Sequence, residues 1–268
     1  MSDFLQSMAK LSAERAAAAG NIPAAELDKV LVPLRLGSFD IIAEIKDRSP
    51  AEGELVAEGV DRSRRARDYA SGGAAAISVL TEPSRFDGSL DHLRDVVAAV
   101  PSTPVMRKDF LVDPVQVLEA RAAGASGVLL IATMLNDAQL RSMLDCAAEH
   151  GLFVLLESFD EQDLLRSARL LDNAADQQRA EDGQLLFGVN TRDLRTLHVD
   201  PQRLQKLAPA LPAGRCVAES GLHDAADAAA VAGLGYQLAL VGTALMRSDA
   251  PATLVQEMRA AGSERIAA

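Results

Sequence analysis

Residues 152–157 read LFVLLE: five apolar residues in a row and then a carboxylate. A half-buried strand would alternate polar with apolar. An unbroken run of this length, with Gly151 ahead of it, reads as a parallel strand covered on both faces. The charge at its end needs a polar setting, because ionised groups in apolar strands are costly unless paired or turned to a polar cavity. Runs of the same kind precede it at 41–46 (IIAEIK), 75–80 (AAISVL), 104–108 (PVMRK) and 127–131 (GVLLI). Three more follow, at 185–190 (LLFGVN), 215–219 (RCVAE) and 238–242 (LALVG). Over the seven intervals from residue 41 to residue 238 the mean spacing is about 28 residues. A strand–helix unit in a barrel of about 250 residues takes roughly 30. Amphipathic stretches fill the gaps, as at 89–100 (SLDHLRDVVAAV), 114–123 (PVQVLEARAA) and 137–150. Pro114 stands where a first helical turn tolerates it, and Gly124 and Gly151 stand where helices stop.

Eight such units in 268 residues predict an α/β fold, a single (β/α)8 TIM barrel over 41–268 behind an N-terminal helical extension over 1–40. The extension should hold a helix over 24–32 and pack over one end of the barrel. A doubly wound sheet would want fewer strands and a G-x-G-x-x-G turn after the first one, whereas DRSPAEG follows Lys46. The segment 172–184 (DNAADQQRAEDGQ) is polar and unpatterned, and reads as a surface insertion ahead of the sixth strand, on the face away from the chemistry.

Apolar residues make up 49% of the chain, ample for a large core. With 27 Lys and Arg against 38 Asp and Glu, the net charge of −11 argues against nucleic acid or an anionic membrane as partner. A small anionic substrate remains open, since a local cluster of donors overrides the global field. Cys146 and Cys216 are too few for a disulfide framework or a Cys-rich zinc site and suit a reducing compartment. The opening residues hold no apolar signal-peptide core, and no run reaches the roughly 20 apolar residues of a membrane span. The expectation is a cytoplasmic protein, a monomer or weak homo-oligomer, acting on a small phosphorylated molecule.

A barrel places its chemistry at the C-terminal ends of the strands. The polar residues there are Glu44, Lys46, Ser78, Lys108, Glu157, Asn190, Glu219, Ser220, Gly242 and Thr243. Two lysines and three carboxylates at one mouth would compensate one another and shift one another's pKa values. The loops AESG (218–221) and VGTALMR (241–247) follow the last two strands, the usual place for a phosphate. Gly221 and Gly242 would allow close backbone approach, with Ser49 and Pro50 completing the cup. Phe86 and Phe110 lie just past the second and third strands, in a chain only 3% aromatic, where they could sandwich a flat ring. The four histidines, His92, His150, His198 and His223, show no metal-ligand spacing.

In this order and spacing, IIAEIKDRSP, ISVLTEPSRFDGS, MRKDFLVDPVQVLEARAAGA, LLES, GVNTRDLRT, VAESG and LVGTALMR resemble the indole-3-glycerol phosphate synthases, from Ile41 to Met258. The resemblance implies a barrel that closes the pyrrole ring of 1-(2-carboxyphenylamino)-1-deoxyribulose 5-phosphate in tryptophan biosynthesis. Carbon dioxide and water are lost, and neither metal nor organic cofactor is needed. It makes Lys108 the acid that protonates the ribulose carbonyl, Glu157 the base for dehydration, and Lys46 a rival proton donor for that step. Glu44, Asn190, Glu219 and Ser220 would orient these groups. Ser49, Gly221, Gly242 and Thr243 would hold phosphate, and Arg192, Phe86, Phe110, Leu129 and Leu194 would line the aromatic and carboxylate end. Ala51 and Glu52 depart from the family's SPSKG, which could weaken substrate binding. The resemblance leaves two alternatives: a low-activity paralogue that binds a phosphorylated ligand or a partner, and another phosphate-binding barrel isomerase such as phosphoribosylanthranilate isomerase. The latter would want a Cys/Asp pair where Lys46 and Ile131 stand.

Overall fold

The computed structural model describes residues 3–49, 53–54, 61–194 and 198–268. Eight parallel strands close into a barrel: β1 (Asp40–Ile45), β2 (Ala76–Leu80), β3 (Val105–Lys108), β4 (Gly127–Ile131), β5 (Phe153–Ser158), β6 (Leu185–Asn190), β7 (Arg215–Glu219) and β8 (Leu238–Val241), with β1 paired to both β2 and β8. Around them lie α1 (Asp3–Ala17), α2 (Ala24–Leu27), α3 (Arg62–Ser71), α4 (Pro83–Phe86), α5 (Leu90–Ala99), α6 (Pro114–Ala122) and α7 (Asp137–Glu149). The chain continues through α8 (Glu161–Ala168), α9 (Ala174–Glu181), α10 (Arg203–Leu207), α11 (Ala225–Gly233), α12 (Thr243–Arg247) and α13 (Pro251–Ala267). Every residue of β1, β2, β4, β5, β6 and β8 is buried, which is why these strands read as continuous apolar runs.

Register decides which side chains share the mouth. Leu80 pairs with Lys108, Ile131 with Glu157, Glu157 with Gly188, and Asn190 with Glu219. Successive side chains alternate across a strand, so these residues all face the barrel axis near its C-terminal end.

Two expectations need correction. The helix over 24–32 is a single turn, Ala24–Leu27, and residues 28–39 carry no helix. Pro33 restricts the residue before it to extended backbone, and Lys29 bonds outward: its carbonyl accepts from Arg121, and its ammonium donates to the Ala122 carbonyl at 2.8 Å. Leu31 and Leu36 then lie against Gly151 and Gly183 at the far end of the barrel, while α1 sits by the mouth, so this segment touches both ends. The polar stretch 172–184 contains a regular helix, α9, where an unpatterned insertion was expected. Its inner face is small: Ala180 packs there, and Asp176 is buried on Arg141 at 2.5 Å. Asn173 caps its N-terminus by accepting from the Ala175 and Asp176 amides. An Asn173→Ala variant should lose about 1 kcal/mol of stability, read as a fall of roughly 2–4 °C in thermal midpoint. An unchanged midpoint would show that α9 is held by Asp176 and Ala180 alone.

Candidate active site

A cavity of about 330 Å³ opens at the C-terminal mouth. Glu44, Lys46, Lys108, Glu157, Asn190, Ser220, Gly221, Gly242 and Thr243 line it, as do Phe86, Phe110, Leu129, Arg192 and Leu194. Two expected members do not. Ser78 is fully buried one inward-facing position below Leu80, with no partner for its hydroxyl among the described residues, and so lies beneath the cavity floor. Glu219 is fully buried behind the lining and reaches the site only through its neighbours. The side chain of Ser49 and the whole of Pro50, like Ala51 and Glu52, lie outside the described residues. Asp109, Leu80, Ile131, Val199, Leu222, His223, Leu240 and Val241 also line the cavity and were not anticipated.

The charged groups form one chain of contacts. Lys46 Nζ is 2.8 Å from Glu44 Oε1, Lys108 Nζ is 3.1 Å from Glu44 Oε2, and Lys108 Nζ is 3.5 Å from Glu219 Oε2. Burial alone would push the Glu44 carboxyl up. The two lysines outweigh it and bring the pKa down to about 2. Burial likewise opposes the Lys108 charge, but Glu44, Glu219 and Glu157 together raise its pKa above the usual lysine value, so it is an ammonium at any physiological pH. Glu157 and Glu219 are the frustrated pair. Both are pushed up by burial first; repulsion from Glu157 raises Glu219 further, and Lys108 pulls both down. Asn190 and Glu219 both hydrogen-bond to the Glu157 carboxyl and favour its charge, without offsetting its burial. The carboxyl groups interact with each other, so a single proton shared between them satisfies both better than two charges would.

Backbone shape makes room for this packing. Gly188 pairs with Glu157 and has no Cβ; one built there would collide with Glu219 Oε1. A Cβ on Gly242 would strike Glu44 Oε1 and stand 3.0 Å from Lys46 Nζ. Ser220 has φ of 68°, the left-handed region that a residue with a Cβ rarely adopts, and its hydroxyl donates to Asn190 Oδ1 at 2.8 Å. The same oxygen accepts from the Arg192 amide at 2.9 Å, so Asn190 ties the loops after β6 and β7 together.

The arrangement is a buried ammonium flanked by carboxylates, with a second ammonium 2.8 Å from one of them, in a cavity also lined by apolar side chains. The family model described as indole-3-glycerol phosphate synthase matches residues 6–258. The chain belongs to the indole-3-glycerol phosphate synthase family. Indole-3-glycerol phosphate synthase of a Nocardioides species is 46% identical over 225 residues, which are 84% of this chain and 81% of that protein. The enzyme of that name from Mycobacterium avium is 42% identical over 259 residues, covering 96% and 89%. Among solved structures, 3-hexulose-6-phosphate synthase from Salmonella typhimurium superposes with a TM-score of 0.61 at 16% identity, covering 85% of this chain and 99% of that one. Thiamine phosphate pyrophosphorylase from Pyrococcus furiosus gives 0.59 at 16% identity, covering 85% and 97%. Likeness at this identity concerns the fold alone.

In this indole-3-glycerol phosphate synthase family member, Gly242 offers a direct probe of the charged cluster. Its φ of −116° suits any residue, so Gly242→Ala should leave the backbone undisturbed while displacing Glu44 and Lys46. A misplacement of this kind costs on the order of 10–100-fold in kcat/KM, with the thermal midpoint little changed. Wild-type kinetics in that variant would mean that Glu44 and Lys46 yield to the added methyl group at no cost to the reaction.

Proposed function

We propose that the cavity converts 1-(2-carboxyphenylamino)-1-deoxyribulose 5-phosphate to indole-3-glycerol phosphate, a carboxy-lyase step of tryptophan biosynthesis. What supports this most is the convergence of Lys46, Lys108 and Glu157 on one cavity that Phe86, Phe110 and Leu129 also line. The phosphate end of the substrate sits by Gly221, Gly242 and Thr243, and the aromatic ring lies against the apolar wall with Arg192 near its carboxylate. Lys108 delivers a proton to the ribulose carbonyl oxygen as the ring carbon bearing the carboxylate attacks that carbon. Negative charge would otherwise build on this oxygen, and a desolvated ammonium aimed at it is worth most where water is excluded. Loss of carbon dioxide restores the aromatic ring. Glu157, in its ionised form, then takes a ring proton while the former carbonyl oxygen leaves as water, with Lys46 or Lys108 supplying the second proton. Glu44 holds both lysines in place, and it helps to keep Lys108 charged.

Among the described residues no helix is long and apolar enough to cross a membrane. The reading places the protein in the cytoplasm as a monomer or weak homo-oligomer, which light scattering of the purified chain checks. The deciding experiment is turnover of the carboxyphenylamino substrate followed by the indole fluorescence of the product, paired with growth rescue of a tryptophan auxotroph. No fluorescence gain and no rescue would reduce the chain to a binding paralogue.

A further inference from the structure

Helix α3 holds the segment after β8 from behind. Arg65 Nη1 donates to the Ser248 carbonyl at 2.9 Å and to the Leu245 carbonyl at 3.3 Å. One turn farther along α3, the buried Tyr69 hydroxyl donates to Met246 Sδ at 3.3 Å. These acceptors belong to the last turn of α12 and the residue after it. Gly242 and Thr243, which line the cavity, stand at the opening of the same helix.

The contacts answer a need of so short a segment. Helix α12 has five residues, too few to keep its shape by its own hydrogen bonds. The last carbonyls of a helix have no partner within it. The Leu245 carbonyl also accepts from the Ser248 amide, at a long 3.4 Å. A guanidinium shared between two such carbonyls makes charge-assisted bonds, and it sits where the end of a helix favours a cation. Arg65 can serve as a fixed post because α3 is itself held. Asp61 caps it by accepting from the Arg64 amide at 3.0 Å, and Ala66 and Tyr69 are buried. At Gly72 the end of α3 runs so close to α13 that a Cβ would strike the Ala252 carbonyl. Within α12 the Met246 amide donates to the Gly242 carbonyl at 2.9 Å, so a displacement of the far turn is passed back to the cavity lining.

We infer that Arg65 is a positioning residue for the phosphate end of the substrate: by holding Leu245 and Ser248 it fixes Gly242 and Thr243 where the phosphate group binds. Lys108 has its own anchors in Glu44 and Glu219, so the effect falls on phosphate binding more than on proton transfer. This inference rests on the placement of the phosphate proposed above, and its test includes readouts that need no turnover.

The test compares wild type with Arg65→Met, which keeps the aliphatic stem and loses the donors, and Arg65→Lys, which keeps one charged donor. Arg67→Ala is the control; Arg67 is exposed on α3, 3.8 Å from Asp61 Oδ2. In Arg65→Met, amide hydrogen exchange at Met246 and Ser248 rises. The dissociation constant of inorganic phosphate, read by calorimetry, and KM for the carboxyphenylamino substrate both rise about five- to tenfold while kcat stays within about threefold, the pattern of lost uniform binding. Arg65→Lys recovers part of each effect, and Arg67→Ala matches wild type in all of them. Unchanged phosphate affinity, a change confined to kcat, or a rise in exchange as strong in β4 and β5 as in α12 overturns the inference, as does a wild-type chain that binds no phosphate. If the wild type binds phosphate but does not turn over the substrate, the functional reading fails instead, and the phosphate comparison still decides the role of Arg65.

Discussion

Lys108→Ala lowers kcat by about 10³–10⁵, the combined effect of removing a positioned acid and an electrostatic stabiliser of a developing oxyanion. No other group can take over at that spot. Lys46 is tied to the opposite oxygen of Glu44, and the remaining close neighbours are carboxyl groups. Substrate affinity should change less, because the apolar wall and the glycine loops are untouched. The same variant has a pH signature in stability. Without the ammonium, the burial of Glu157 and Glu219 is no longer countered, and their pKa values climb further above 4.5. A carboxyl raised in the folded state costs stability as pH rises past its unfolded pKa, and that cost fades as pH falls. The deficit in thermal midpoint relative to wild type should therefore shrink between pH 7.5 and pH 5. Turnover within tenfold of wild type would remove Lys108 from its role as acid, and a deficit constant with pH would mean that the carboxyls do not depend on it.

That prediction could be framed from sequence because Lys108 and its partners sit where apolar strands end, and a charge in such a place has few structural excuses. The strands were legible for a related reason: residues covered on both faces leave no polar alternation to confuse the reading. What escaped depends on pairing between distant segments. Ser78 lies on the same inward row as Leu80 and level with Glu44, but its short side chain does not reach the cavity that the longer glutamate lines. Glu219 sinks behind the lining because Gly188, on a different strand, leaves it room. Asp109 alternates away from Lys108 along the chain and would pass for a solvated loop residue; four donors drawn from α1, β3 and the loops after β2 and β3 make it internal. Helix α9 was hidden by its composition, since its buried face consists of an alanine and a paired aspartate rather than an apolar stripe.

The pairing of Glu157 with Glu219 leads to the second large effect. Glu157→Gln should lower kcat by about 10²–10⁴, the usual contribution of a positioned base. Changes at Glu219 are more informative, because Glu219 acts on the reaction only through its neighbour. The protonated form of Glu219 is the one that favours charge on Glu157, as the hydrogen-bonding partner in the pair. Glu157 must be ionised to act, so the rate rises with pH through the first ionisation of the pair, which burial places above the ordinary 4.5 of a glutamate. A glutamine at 219 can donate just as the protonated acid does, so Glu219→Gln should keep that limb close to its wild-type position and retain most of kcat. Leucine cannot donate. In Glu219→Leu the charge on Glu157 loses its support, its pKa rises, and the acid limb of the kcat profile moves to higher pH by about one unit or more. The sign of that shift separates two physical accounts. Were Glu219 ionised in the working enzyme, its removal would relieve repulsion and the limb would move to lower pH. A downward shift would therefore place the shared proton on Glu157 and disqualify it as the resting base.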